Sequence, residues 1–387
     1  MSHRPAPARL GALPEQYFTQ ILAAAARARA QPGAPFIDLG RGNPDLPPPP
    51  HAIEALRAAA LQTDTPLVHG YPPFGGHADL KEAIAHRYAA DHGVELDPER
   101  DVAVIPGTKT GIMLACLATA EDGDAILLPD PGYPDYLSGA ALARARVLAL
   151  ALRADAGFQP DFAAADGGER VALAVLNYPS NPTAALERPG TFEAAVAYAH
   201  AHGAWVLNDL AYGFLAYDGA RARSILEVDG ARDVALELWS PSKIYGMAGW
   251  RVGFAVGSPE LVARVKTLVD HLTAGVWTGL QRGLAAALRS DQADVAQRRA
   301  VYERRRDLVV RALTDAGAPP APAEGSFFVW WPLPTGVTPE ALIADARVGV
   351  APGQGFGANG AGYARLSLAV ADGDLAEAVA RLAAAVS

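Results

Sequence analysis

A single cysteine, Cys116, in 387 residues excludes an intrachain disulfide and a cysteine-rich metal site. It reads as a small buried hydrophobe on a helix, and no metal is expected. Basic residues are also scarce. Lys and Arg number 33 against 42 Asp and Glu, a net charge of −9, which disfavours nucleic acid or an anionic membrane as partner. A negatively charged small substrate stays open, because a basic pocket can sit in an acidic protein. Long apolar runs are missing: the alanines at 23–26 are interrupted by Arg27 and Arg29. Neither a signal peptide nor a bilayer span is expected, and a cytoplasmic protein follows. Repeats and low-complexity linkers are absent as well. What remains, 50% hydrophobic and 19% charged residues, is a globular composition long enough for one large domain and a smaller one.

Short apolar runs alternate with helical patterns. Strands are expected over 101–105, 124–128, 146–150, 171–176, 204–208, 235–239 and 251–256. Helices are expected over 14–30, 53–62, 76–92, 111–120 and 191–202. This alternation predicts an α/β fold with a largely parallel sheet covered on both faces, and ligands bind beyond the carboxyl ends of such strands. After about residue 285 a long helix, a Phe-Phe-Val-Trp-Trp strand, another helix and a strand at 363–369 suggest a smaller α+β unit. The helix carries Arg298, Arg299, Arg304, Arg305 and Arg306, which read as a solvated face.

The chemistry-bearing residues fall in the loops after those strands. Lys243 lies in Ser240-Pro241-Ser242-Lys243, with Gly246 and Gly249 allowing close backbone approach and Arg251 eight positions on. Alone, Lys243 is an ordinary loop lysine. A deprotonated lysine can form a Schiff base with an aldehyde, and an arginine can clamp a phosphate. One small molecule, pyridoxal 5′-phosphate, carries both groups. Asp209 ends a strand, where it can either cap a helix or hold a pyridine nitrogen protonated. Tyr212 follows within reach of a phenolate. Asn181 sits in an Asn-Pro turn, and Tyr133 is a loop aromatic able to stack on a ring. Thr108, Lys109 and Thr110 lie in a Gly/Thr loop before a helix, an anion site by its amides and dipole but without Walker A spacing. Arg365 lies inside an apolar strand, where it needs a partner: an internal carboxylate or a substrate's.

The order of these motifs resembles the PLP-dependent aminotransferases of fold type I, class I/II, from Ile37 to about Ala369. Ser240-Pro241-Ser242-Lys243 and Gly249-Trp250-Arg251-Val252-Gly253 match the family's lysine segment. The resemblance implies that Lys243 is the Schiff-base lysine, that Ser240, Arg251, Thr108, Lys109 and Thr110 hold phosphate, and that Tyr133 stacks on the ring. It implies that Asn181, Asp209 and Tyr212 meet the phenolate and ring nitrogen, and that Arg365 and the Gly42 backbone hold the substrate α-carboxylate. Tyr71 matches a tyrosine sent to the neighbour's phosphate, which implies a homodimer with shared active sites. The domains implied are a large one over 48–285 and a small one from 1–47 and 286–387. Two positions depart from the pattern. Ala184 replaces the glycine after Asn-Pro-Thr, and Arg41 replaces an apolar residue beside Gly42.

The expected reaction is ping-pong transamination between an L-amino acid and a 2-oxo acid such as 2-oxoglutarate. Lys109 and Arg41 suit an acidic or diaminopimelate-type donor, and motif wording is closest to the LL-diaminopimelate, N-acyl-diaminopimelate and aspartate aminotransferase branch. Tyr17, Phe327 and Trp330 would equally line an aromatic pocket. The alternatives are a carbon–sulfur β-lyase with the same cofactor, distinguished by pyruvate release without an added oxo acid, and a non-catalytic binding or regulatory protein.

Overall fold

A computed structural model describes residues 7–165 and 169–387; residues 1–6 of the expected N-terminal arm lie outside the described residues. The described strands, in chain order, are β1 (Ile37–Asp38), β2 (Val102–Ile105), β3 (Ala125–Asp130), β4 (Arg146–Ala151), β5 (Val171–Leu176), β6 (Trp205–Asp209), β7 (Ala235–Trp239), β8 (Gly253–Gly257), β9 (Phe328–Pro332), β10 (Val348–Gly349), β11 (Ala351–Pro352) and β12 (Tyr363–Ser367). Seven of them form one sheet in the order β2-β8-β7-β6-β5-β3-β4. Every pairing in it is parallel except those of β8, which runs antiparallel to both β2 and β7.

The period-2 geometry of these strands makes the layers. Ile126 and Leu128 of β3 pack with Ile112 and Val265 from the helices on one face. Leu127 between them packs with Ile84, Phe192 and Leu284 from helices on the other. The central strands are therefore apolar on both sides, and β5 is buried at every position, whereas the edge strand β4 is largely exposed. A second core joins β9, β12 and the helices Ala293–Asp315 and Asp372–Val386 through Trp331, Leu366, Leu313 and Leu382. No described helix is long and apolar enough to cross a membrane.

Three expectations need correction. The helix expected over 111–120 spans Thr108–Thr119, because Gly107, at φ +84°, takes the N-cap position and turns the chain early. Thr108, Lys109 and Thr110 are thus its first turn and not a preceding loop. Arg251 does not open a strand. It stands two residues before β8 in a left-handed conformation (φ 52°). The basic run is a solvated face only in part, at Arg299 and Arg304. Arg298, Arg305 and Arg306 are buried. Arg298 donates to the carbonyls of Leu46 and Pro47, Arg305 pairs with Asp45 and Asp372, and Arg306 pairs with Asp218. They tie the long helix to the turn after Gly42 and to the neighbouring loops. Cys116 is a buried free thiol on the helix Thr108–Thr119.

Candidate active site

The carboxyl ends of the parallel strands open onto a cavity of about 440 Å³. Strand direction explains who arrives there. β2 ends before Gly107 and Thr108, β3 before Tyr133, β5 before Asn177 and Asn181, β6 at Asp209, and β7 before Ser240 and Lys243. Because β8 is antiparallel, its beginning lies at the same edge, with Gly253 paired to Ile105. That brings Arg251 beside the first turn after Gly107. A Cβ on Gly107 would lie 2.6 Å from Arg251 Nη2, so glycine is what lets this guanidinium close over the helix N-terminus. Thr108, Lys109, Ser240 and Arg251 all line this end of the cavity, where a helix N-terminus and a guanidinium meet, an arrangement suited to an anion. Thr110 does not line it; its hydroxyl turns back to the Pro106 carbonyl at 3.2 Å.

Asp209 is the floor. Its Oδ2 accepts from Tyr136 Oη at 2.9 Å, while Oδ1 is buried with no hydrogen-bond partner. Burial pushes the carboxyl up to about 6, with the Tyr136 hydrogen bond, the nearby Ala211 backbone N–H and the Lys243 charge opposing it. An unpartnered acceptor oxygen in a buried carboxylate suits an N–H donor such as a protonated pyridine nitrogen. Tyr212 is buried against Phe327 and Phe328, and Asn177 fixes the local backbone by donating to the Asp209 carbonyl at 2.6 Å. Tyr133 lines the cavity with its ring near that of Tyr136.

Lys243 Nζ donates to the Gly42 carbonyl at 2.9 Å. Burial first, then the Arg365 and Arg251 charges, push its amine down to about 8, and Asp209 pulls the other way. Gly42 cannot be larger: a Cβ there would sit 2.8 Å from Phe328 Cζ. Arg365 is fully buried and stacks between Phe328, at 4.0 Å, and Phe356, at 4.7 Å. It donates to Asn181 Oδ1 at 2.7 Å and to the Gly40 carbonyl at 3.0 Å, and its Nε has no partner. Burial without a carboxylate pushes this guanidinium down to about 10. A buried cation held only by neutral acceptors is a receptor for an anion.

Of the expected site residues, Arg41, Gly42, Thr108, Lys109, Tyr133, Asn181, Asp209, Tyr212, Ser240, Lys243, Arg251 and Arg365 line one cavity. Tyr17 does not. Its hydroxyl donates to the Pro352 carbonyl and its ring packs edge-on to Phe356. Phe18, Ile21 and Leu22 line the wall instead, the i, i+3, i+4 face of helix Tyr17–Ala30. Phe327 and Trp330 are likewise buried behind the wall, where Phe328 is the lining residue. Tyr71 is 85% exposed and lies outside the cavity. Lys109 is not a free cation, since its Nζ lies 3.0 Å from Asp135 Oδ1. Arg41 forms no ion pair with a described residue. Tyr136 and Asp135 escaped the sequence reading, although they directly follow Pro131-Gly132-Tyr133-Pro134. A buried tyrosine beside a buried aspartate gives no periodic signal.

The family model for aminotransferases of class I and II matches residues 34–382. The chain is 40% identical over 376 residues to the L-glutamine–4-(methylsulfanyl)-2-oxobutanoate aminotransferase of Bacillus subtilis (strain 168), covering 96% of this chain and 94% of the relative. It is 39% identical over 380 residues to the LL-diaminopimelate aminotransferase of Desulforudis audaxviator, covering 97% and 96%. Among solved structures, the apo form of BacF from Bacillus subtilis superposes with a TM-score of 0.93 at 36% identity, covering 99% of this chain and 98% of that one.

Proposed function

Since the chain belongs to the class I and II aminotransferases, α/β enzymes of fold type I that use pyridoxal 5′-phosphate, we propose that it moves an amino group between an L-amino acid and a 2-oxo acid with Lys243 as the catalytic residue. The observation that carries this reading is the Lys243 amine, pushed down to about 8 in a cavity that also holds Asp209 and Arg365. When bound, the cofactor supplies an aldehyde that condenses with amines and a protonated ring that draws electrons from the substrate α-carbon. Thr108, Ser240 and Arg251 hold its phosphate, and Tyr133 covers its ring. Asp209 Oδ1 holds the ring nitrogen's proton, while Asn181 and Tyr212 serve the phenolate oxygen.

Arg365 takes the α-carboxylate. Amino acid and oxo acid both carry that group, so one arginine serves both in turn, which makes the reaction ping-pong. Lys243 Nζ takes the α-proton and later returns one, base then acid, and its lowered pKa keeps a useful neutral fraction near pH 7. The Gly42 carbonyl, within reach of Lys243 Nζ, orients that amine between transfers. Arg41, a cavity cation without an ion-pair partner among the described residues, meets a distal carboxylate, which favours glutamate, aspartate or a diaminopimelate-type donor and 2-oxoglutarate as acceptor. A cytoplasmic location belongs to the same reading, and the one free thiol, Cys116, is compatible with it. So does a division into a large part at 48–285 that holds the cofactor and a smaller part, 1–47 with 286–387, that supplies Arg41, Gly42 and Arg365. Lys243→Ala should abolish the visible band of lysine-bound cofactor and lower turnover by about 10²–10⁴-fold. Transamination at the parent rate would sink the assignment.

A further inference from the structure

Besides Lys243, Arg251 and Arg365, two basic side chains line the cavity, Arg41 and Lys109, and they are not equivalent. Arg41 is exposed and unpaired among the described residues. Lys109 belongs to Asp135. That aspartate is buried in the first turn of the helix Asp135–Leu142. Its Oδ1 lies 3.0 Å from Lys109 Nζ and accepts a second bond from Gln16 Nε2 at 2.7 Å. Its Oδ2 is buried with no partner. Among the described residues, Lys109 is its one ion-pair partner. A buried carboxylate loses heavily when its cation leaves, whereas Lys109, 49% exposed, loses little by staying.

We propose that Asp135 determines donor specificity by withholding Lys109 from the substrate side chain. It rests on the aminotransferase reading above. A distal carboxylate that approached Lys109 Nζ would share that ammonium with the Asp135 carboxylate, 3.0 Å from it, so like charges would oppose it. The preference for dicarboxylic donors is thereby limited to what Arg41 alone supplies. The nearby wall of Phe18, Ile21 and Leu22 accepts neutral side chains. Gln16 precedes the helix that carries those three residues, so Asp135 also anchors this wall. Asp135→Asn removes the charge, keeps the shape, and keeps an oxygen for Gln16. It leaves Lys109 free to meet a substrate carboxylate.

The test uses the cofactor-loaded enzyme and shape-matched donors, glutamate against glutamine and aspartate against asparagine. Each is mixed rapidly in a single half-reaction, and loss of the cofactor's visible absorbance is followed. The readout is the acid-to-amide ratio of rate constant over dissociation constant, in which effects common to both donors cancel. Asp135→Asn should raise that ratio about tenfold, and adding Lys109→Met should abolish the gain. Lys109→Met alone should leave the ratio within about twofold of the parent. An unchanged or lower ratio in Asp135→Asn overturns the proposal. So does a collapse of the ratio in Lys109→Met alone, which decides the matter even if Asp135→Asn does not fold. Arg41→Ala should lower the ratio; if it does not, the role given to Arg41 fails while the Asp135 result stands. Absence of bleaching by any donor in the parent overturns both readings.

Discussion

Asp209 shows what a single residue gives up to be useful. Its carboxyl titrates at about 6 against an ordinary 3.8, because burial disfavours the charged form more than Tyr136 and Lys243 favour it. The folded chain therefore binds that proton more tightly than the unfolded one. This contribution to stability is complete below about pH 4 and is lost as pH rises through about 6. In cofactor-free protein, Asp209→Asn cannot ionise and keeps an oxygen for Tyr136. It should be more stable than the parent at pH 8, by at most about 3 kcal/mol at about 1.4 kcal/mol per pKa unit. The difference should vanish towards pH 4. Urea midpoints of the two proteins at both pH values check this, and an equal difference at both would contradict it. The cavity-lining side chains were legible at this scale because the proposed chemistry restricts their type: a Schiff base calls for a lysine, and a bidentate grip on a carboxylate for an arginine. Their supports were not. Tyr136 acts through a fold-dependent contact, and Phe18 lines the cavity where Tyr17 is expected, since a helix's phase against a cavity is not written in its composition.

Strand direction and helix starts decide where those side chains meet. The apolar runs read correctly as strands because both faces are covered, but nothing within 253–257 announces that β8 runs backwards. The reason lies in its connection. The 13 residues between β7 and β8 hold only the four-residue helix Pro241–Ile244 and a short turn at Ala248–Trp250, with no long helix crossing a face of the sheet to bring β8 back parallel. The helix at Thr108 was placed three residues late because Thr-Lys-Thr looks like loop chemistry. Gly107 was the better sign. Its φ of +84° excludes side chains, and the missing Cβ is what admits Arg251. Gly107→Ala should strain this turn and displace the guanidinium, weakening cofactor phosphate binding. An affinity loss of about 10-fold or more is expected, equal to at least about 1.4 kcal/mol. Titrating cofactor into the cofactor-free variant measures it, and an unchanged dissociation constant would contradict a phosphate site at this helix start. The buried arginines of Ala293–Asp315 were misread for the converse reason: their carboxylates, Asp45, Asp218 and Asp372, are remote in sequence.

At the scale of the molecule, an acidic chain surrounds a cavity lined by five basic side chains, and one of the expected site residues outside it, Tyr71, points to solvent. Tyr71 is 85% exposed, and the same stretch of chain exposes Leu61, Leu67 and Phe74, with Leu272 also largely exposed. We propose that these exposed apolar residues belong to the association face of a homodimer. A homodimer in which Tyr71 enters the partner's site accounts for the exposure and for its distance from its own cavity. The arrangement makes a prediction that single variants do not. Tyr71→Ala and Lys243→Ala should each impair activity as homodimers, the second almost completely. Co-expressed in equal amounts, they form mixed dimers in half of the population. One site of each mixed dimer then combines an intact Lys243 from one chain with an intact Tyr71 from the other. Its second site lacks both. Restored activity should approach about a quarter of the parent, since two-fold symmetry gives each dimer two equivalent sites. If Tyr71 serves its own chain, no site in the mixed dimer is whole, and activity should stay at the mean of the two variants.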